Sequence, residues 1–250
     1  MLLQKIRSKI SRENFDDVLS GLCEGLRVEL TGSSVVGNGW VKVGVSGEDE
    51  KVAVRFLEKK LGLAPITAGN VERFSVLRGR VVYSGQSKVG VFVDIGVFSP
   101  KPVYAFVPLQ RLQGQLVDGR KFALERIVEL FGLVDGFPLE IRVIKVSADK
   151  FEAELTEKQL ELYSRWIDSR VDRLVVLGTF SKRVREAVKR ARLKRDVLGI
   201  ESLDVLEHVV VCSLGTDAKG FVPKLGRRLL EASFVLFSPR QVLELVSGRW

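Results

Sequence analysis

Residues 74 to 155 constrain the fold of this chain more than any other stretch. Five short runs rich in Val, Ile, Phe and Tyr span Phe74 to Tyr83, Lys88 to Gly96, Tyr104 to Leu109, Phe137 to Val146, and Phe151 to Leu155. Runs of this length divided by turn residues read as strands. The fourth alternates: Leu139, Ile141, Val143 and Lys145 take one side, and Glu140, Arg142, Ile144 and Val146 the other. Period two is the signature of a strand with two different faces. Five such strands predict a small β-barrel. Residues Gln113 to Asp135 interrupt it before the fourth strand and contain a predicted helix over Arg120 to Phe131.

The flanks read as two small α/β domains. In the first, Ser11 can cap a helix with Phe15, Val18, Leu19 and Leu22 at helical spacing, ended by Gly25. Strands at Arg27 to Leu30 and Trp40 to Val45 turn around Gly37-Asn38-Gly39. Glu48, Asp49 and Glu50 read as helix-start charges rather than metal ligands. Val52, Ala53, Phe56 and Leu57 are the expected buried side of that helix, and Gly62 and Pro65 stop it. After the barrel, Thr156 opens a helix through Leu160, Tyr163 and Ile167, with Trp166 in the core. A strand over Val171 to Gly178 follows, then a helix from a Ser181 cap to about Arg195 and a buried strand from His208 to Leu214. Phe221 to Pro223 reads as extended, Leu225 to Glu231 as helix, Phe234 to Phe237 as the last strand and Gln241 to Val246 as the last helix. The predicted class is α+β multidomain, a central barrel flanked by two small α/β domains, with boundaries at 1–70, 71–156 and 157–250.

The Ser181 helix carries the strongest functional signal outside the barrel. Val184, Ala187, Val188 and Ala191 fall on one side at i, i+3, i+4, i+7. Lys182, Arg183, Arg185, Lys189, Arg190, Arg192, Lys194 and Arg195 crowd the remainder, opposed only by Glu186. Like charges on a helix repel, so a face this one-sided fits a polyanionic partner. The chain as a whole points the same way: 40 Lys and Arg against 31 Asp and Glu give a net charge of +9. The loop Gly215 to Gly220 lacks the order of a nucleotide-binding P-loop. Lys219 is expected instead to approach a phosphate backbone.

Most catalytic chemistry lacks a carrier. No Cys-x-x-Cys occurs, Cys23 and Cys212 are far apart among apolar residues, and the one histidine, His208, opens an apolar strand. Neither a metal nor a cofactor is expected. No stretch approaches the 18 or more apolar residues of a membrane span, and the N-terminus lacks the h-region of a signal peptide. The expected location is the cytoplasm. One Met and one His among many Lys, Arg and Glu give the composition a thermophile-like cast.

Gly79-Arg80-Val81, Gly90-Val91-Phe92-Val93-Asp94-Ile95-Gly96, Phe106-Val107-Pro108-Leu109, the run Gly136 to Val146 and the run Phe151 to Leu155 together resemble the S1-type RNA-binding domain, an OB-fold. Pro108 stands where that family often has histidine, and Val89 where an aromatic often precedes the Gly-x-Phe phrase. The resemblance implies base stacking by Tyr83, Phe92 and Phe106. It implies phosphate or base contacts from Arg80, Lys88, Arg142 and Lys145, extended by the basic helix. The three-part arrangement is similar to an uncharacterised archaeal family of S1-like proteins, which implies a setting at the ribosome, RNA polymerase or RNA processing. The expected function is non-catalytic binding of single-stranded or ribosomal RNA. The alternatives are an adaptor docking on a ribonucleoprotein or RNA polymerase, or a metal-dependent RNA-processing enzyme.

Overall fold

A computed structural model describes residues 2–5, 19–36, 39–99, 101–147 and 150–247. The chain is α+β and divides into two compact units, residues 1–72 with 95–103, and residues 73–94 with 104–250.

In the first unit, strands β1 (Leu2–Lys5), β2 (Val28–Val36) and β3 (Trp40–Gly47) form an antiparallel sheet in the order β1-β3-β2. The expected hairpin is there, although residues 37 and 38 at its turn lie outside the described residues, as do residues 6–18 of the expected Ser11 helix. Helix α1 (Glu50–Leu61) buries Ala53, Leu57 and Leu61 and ends at Gly62, whose φ of 80° favours glycine. Val52, expected on the buried side, is 55% exposed. The inward stripe runs through 53, 57 and 61, at i, i+4, i+8, and residue 52 falls beside it. Strand β4 (Ile66–Thr67) pairs in parallel with the end of β6, where Trp40, Ala64 and Phe98 pack together.

The second unit holds the barrel. Its strands are β5 (Val76–Val82), β6 (Gly90–Ser99, starting in this unit and ending in the other), β7 (Val103–Pro108), β8 (Pro138–Ser147) and β9 (Lys150–Leu155). They close in the order β5-β6-β7-β9-β8 and back to β5, antiparallel between β5 and β6, β5 and β8, and β8 and β9, and parallel between β7 and β9. The period-two apolar set fills the lumen: Val81, Val93, Ala105, Val107, Ile141, Val143 and Leu155 are all fully buried. A register shift between Val143 and Lys145 breaks the alternation, and Lys145 emerges exposed rather than continuing the inward row. Helix α2 (Leu109–Leu116) starts before the inserted segment and runs into it, and α3 (Leu124–Phe131) lies within it, shorter than the helix expected over 120–131. Ala123, extended at φ −61° and ψ 152°, sets the start of α3.

Thr156 caps α4 (Glu157–Asp168) as expected: its Oγ1 accepts from the Gln159 backbone N–H at 3.2 Å. Beyond it, β10 (Arg173–Leu177), β11 (Val197–Ser202), β12 (Glu207–Cys212) and β13 (Ser233–Phe237) form an antiparallel sheet in the order β11-β12-β10-β13. β10 and β12 are buried along their whole length, because both faces of the sheet are covered. On one face α5 (Ser181–Arg190), α6 (Val222–Gly226) and the 3₁₀ turn before α6 place Val184, Val188, Phe221 and Leu225 against Leu174, Val176 and Val210. On the other, Phe237 meets Trp166 at 5.0 Å between ring centroids, and Tyr163 meets Phe131 at 5.2 Å and donates to its carbonyl at 3.0 Å. That aromatic core joins the barrel insertion, α4 and the sheet. Cys212 lies in the sheet core and Cys23 is also buried; both are free thiols. Burial pushes the Cys212 thiol up to about 12, so it behaves as a small apolar residue. Helix α7 (Pro239–Ser247) ends the described chain.

Several expected elements shift. β11 was not foreseen, because Gly199 and a register irregularity blur its alternation. The basic helix ends at Arg190, since Arg192 turns into the left-handed region at φ 58°. Its N-cap is Phe180 rather than Ser181, whose hydroxyl instead accepts from Arg185 Nε at 3.3 Å. Residues 221–223 are not extended: a 3₁₀ turn over Ala218–Phe221 leads into α6, with Pro223 in its first turn where no intrahelical N–H is needed.

Candidate nucleic-acid interface

Strands β5, β6 and β7 turn alternate side chains outward, and the apolar lumen decides which ones. With Val91, Val93, Ala105 and Val107 inside, Phe92, Tyr104 and Phe106 must face out. Phe92 and Phe106 sit 5.0 Å apart between ring centroids at 45°. Tyr83 and Tyr104 form a second pair, 5.5 Å apart and edge to face, with hydroxyls 3.4 Å apart. Tyr83 follows β5 with a φ of 55°, and the turn is held by Ser84 N–H donating to Asp135 at 2.7 Å and Gln86 N–H donating to the Tyr83 carbonyl at 3.0 Å. Lys150 Nζ lies 4.3 Å from the centre of the Phe106 ring, within cation–π range. Lys88 and Lys145 are exposed. Gly90 has no room for a side chain, because a Cβ there would run into the Phe106 ring and the Val107 carbonyl.

The expected stacking and contact residues therefore divide. Tyr83 is exposed at 42% and Phe92 half-buried. Phe106 is only 7% exposed, with Phe92 on one side and Lys150 over its face, so it backs Phe92 rather than presenting a surface of its own. Arg142 is half-buried and engaged: its Nε meets Glu154 at 3.2 Å, and its Nη2 meets Glu157 at 3.9 Å.

Arg80 is placed differently from its expected role. It is 5% exposed, with Nη2 3.0 Å from Asp204 and Nη1 2.6 Å from Glu207, and it also donates to the Gly136 carbonyl at 3.3 Å. Burial alone would lower the Arg80 pKa, but the Glu207 and Asp204 carboxylates hold it above its ordinary value. Burial pushes the Glu207 carboxyl up to about 7 in spite of Arg80, and Asp204 adds to the rise. Arg80 thus ties the barrel wall to the C-terminal sheet, and its guanidinium does not meet solvent.

On α5, Lys182, Arg185 and Lys189 are exposed. Arg183 pairs with Glu231 at 2.7 Å, and Arg190 reaches Glu186 only at 4.0 Å. Arg192, Lys194 and Arg195 are exposed in the turn that follows, and Lys219 is exposed on the 3₁₀ turn capped by Asp217. His208 is buried in β12, its Nδ1 3.1 Å from the Ser202 hydroxyl, and burial lowers its pKa. It is placed to hold β12 to β11.

Two contributors escaped the sequence reading. Tyr104 lies two residues before Phe106, so period two already assigned it to the outer face. Lys150 reaches Phe106 only through the parallel β7–β9 pairing, which no local pattern reveals. Among the described residues, no group of three or more His, Cys, Asp and Glu side chains could hold a metal ion. Among the same residues, no helix is long and apolar enough to cross a membrane.

These features define an α+β protein with a closed five-stranded barrel, an aromatic outer wall and a basic helix on an adjoining sheet. Models of the DUF2110 central domain and the DUF2110 C-terminal domain match residues 71–167 and 171–237, and the chain belongs to the DUF2110 family. No curated protein matches it significantly.

Proposed function

We propose that the protein binds single-stranded RNA along the open end of the barrel wall, with the α5 face adding phosphate contacts. The observation that carries this reading is the double aromatic pair Tyr83–Tyr104 and Phe92–Phe106, with Lys150 over the Phe106 ring and Lys88 and Lys145 exposed on the same barrel. Aromatic faces beside cations are what a strand of unpaired bases and phosphates requires, and stacking contributes about 1–3 kcal/mol per base. The strand order, with its one parallel pair between β7 and β9, supports an OB-type barrel. In that fold the second and third strands form the ligand face, and here those strands are β6 and β7.

The test is the affinity of the full chain for a single-stranded RNA measured from 50 to 200 mM salt. At roughly 0.7 in slope per contact for a single strand, about six phosphate contacts should weaken binding by roughly 300-fold over that range. Tight binding that ignores salt, or no binding at all, removes the proposal and leaves the protein-adaptor reading.

A further inference from the structure

We propose that a second site, a cavity at the junction of α5 and α6, binds phosphate groups. The cavity has a volume of about 340 Å³ and is lined by Ala191, Pro223, Lys224, Arg227 and Arg228. Three of its five lining residues are cationic and none is acidic. Its size is at the small end of the range for ligand pockets, roughly 300–1,000 Å³. No aromatic ring lines it, so nothing there recognises a base or a sugar by stacking.

The local fold explains why these cations converge. Leu225 and Leu229 are buried in the sheet core, which turns Lys224, Arg227 and Arg228 outward. Arg228 is held in place by main-chain oxygens rather than carboxylates: Nη1 donates to the Lys224 carbonyl at 3.2 Å and Nη2 to the Arg190 carbonyl at 3.4 Å. Those bonds orient the guanidinium without neutralising it. A planar fork of donors beside two further cations suits the oxygens of a phosphate. The site lies at the end of α5, where Lys189, Arg190 and Arg192 continue the positive surface.

The same chemistry could come from a phosphodiester in RNA or from a free phosphate compound. The assignment to RNA rests on the function proposed above. The experiment titrates inorganic pyrophosphate and, separately, a single-stranded RNA into the 250-residue chain. It compares wild type with Lys224→Ala/Arg227→Ala and with Lys51→Ala/Lys59→Ala, which removes the same charge from α1. Because the substituted side chains are exposed, equal melting temperatures are expected and are checked. The expected result is pyrophosphate binding that falls at least tenfold in the α6 variant alone. The slope of log affinity for RNA against log salt should also become shallower by about 1.4, at roughly 0.7 per lost contact. No pyrophosphate binding by wild type, or equal loss in both variants, overturns the site whatever the RNA titration shows. Selective loss of pyrophosphate binding with an unchanged RNA slope overturns its assignment to RNA. Absence of RNA binding by wild type, with pyrophosphate binding intact, counts against the barrel proposal and leaves the cavity a site for a small anion.

Discussion

Arg80 and Phe92 occupy the same outer wall of the barrel. Arg80 pairs in register with Asp94, and Phe92 lies two residues back along that strand. One end of the wall is closed over by the C-terminal sheet, which brings Asp204 and Glu207 to the guanidinium. The other end carries two aromatic pairs and exposed lysines. Both ends show the same alternation. What separates them is the neighbour. A cation under a packed sheet must be paired, and a ring at an uncovered edge is available to a ligand.

The sharpest way to break this comparison is Arg80→Ala. It leaves two carboxylates buried without their cation, which costs about 3–5 kcal/mol. A large fall in melting temperature is expected, with RNA affinity per folded molecule unchanged; a loss of RNA affinity at full stability would return Arg80 to the ligand face. Phe92→Ala is the converse. It should weaken RNA binding by about 1–3 kcal/mol, read by fluorescence anisotropy, and an unchanged affinity would remove stacking from the proposal. Lys145→Ala should act more weakly still, lowering the salt slope by about 0.7 without a preference for RNA sequence.

The smallest effect expected concerns pH. Glu207 has a folded pKa of about 7 against an ordinary 4.5, raised by burial. The folded state therefore holds a proton that the unfolded chain releases. Stability from this group is full below about pH 4.5 and is lost as the pH rises through 7. Glu207→Gln mimics the protonated form, so it should melt within a few degrees of wild type at pH 5. Its melting temperature should then change less than that of wild type between pH 5 and pH 8. A parallel pH profile for the two proteins would show that Glu207 is not the titrating group.

Much of the barrel was legible because strand signals are local. Period two in Leu139, Ile141 and Val143 located β8 and its inward face, and Thr156 announced α4 through a single hydroxyl. The stripe Val184, Ala187 and Val188 located α5 in the same way. Signals failed where backbone irregularity interrupts them, as at Gly199 in β11, or where a residue next to a stripe resembles one in it, as at Val52. The Lys224, Arg227 and Arg228 cluster was hidden by an expected helix over 225–231 that ends instead at Gly226.

Local pattern alone was enough for the five barrel strands, most of the inward row and the cationic bias of α5, since alternation, helical spacing and charge are properties of neighbouring residues. Which outward residues end up covered depends on long-range packing. Burial of Arg80, the backing role of Phe106 and the approach of Lys150 each depend on strands or sheets distant in the chain. An outward side chain carries no local mark of what will be packed against it.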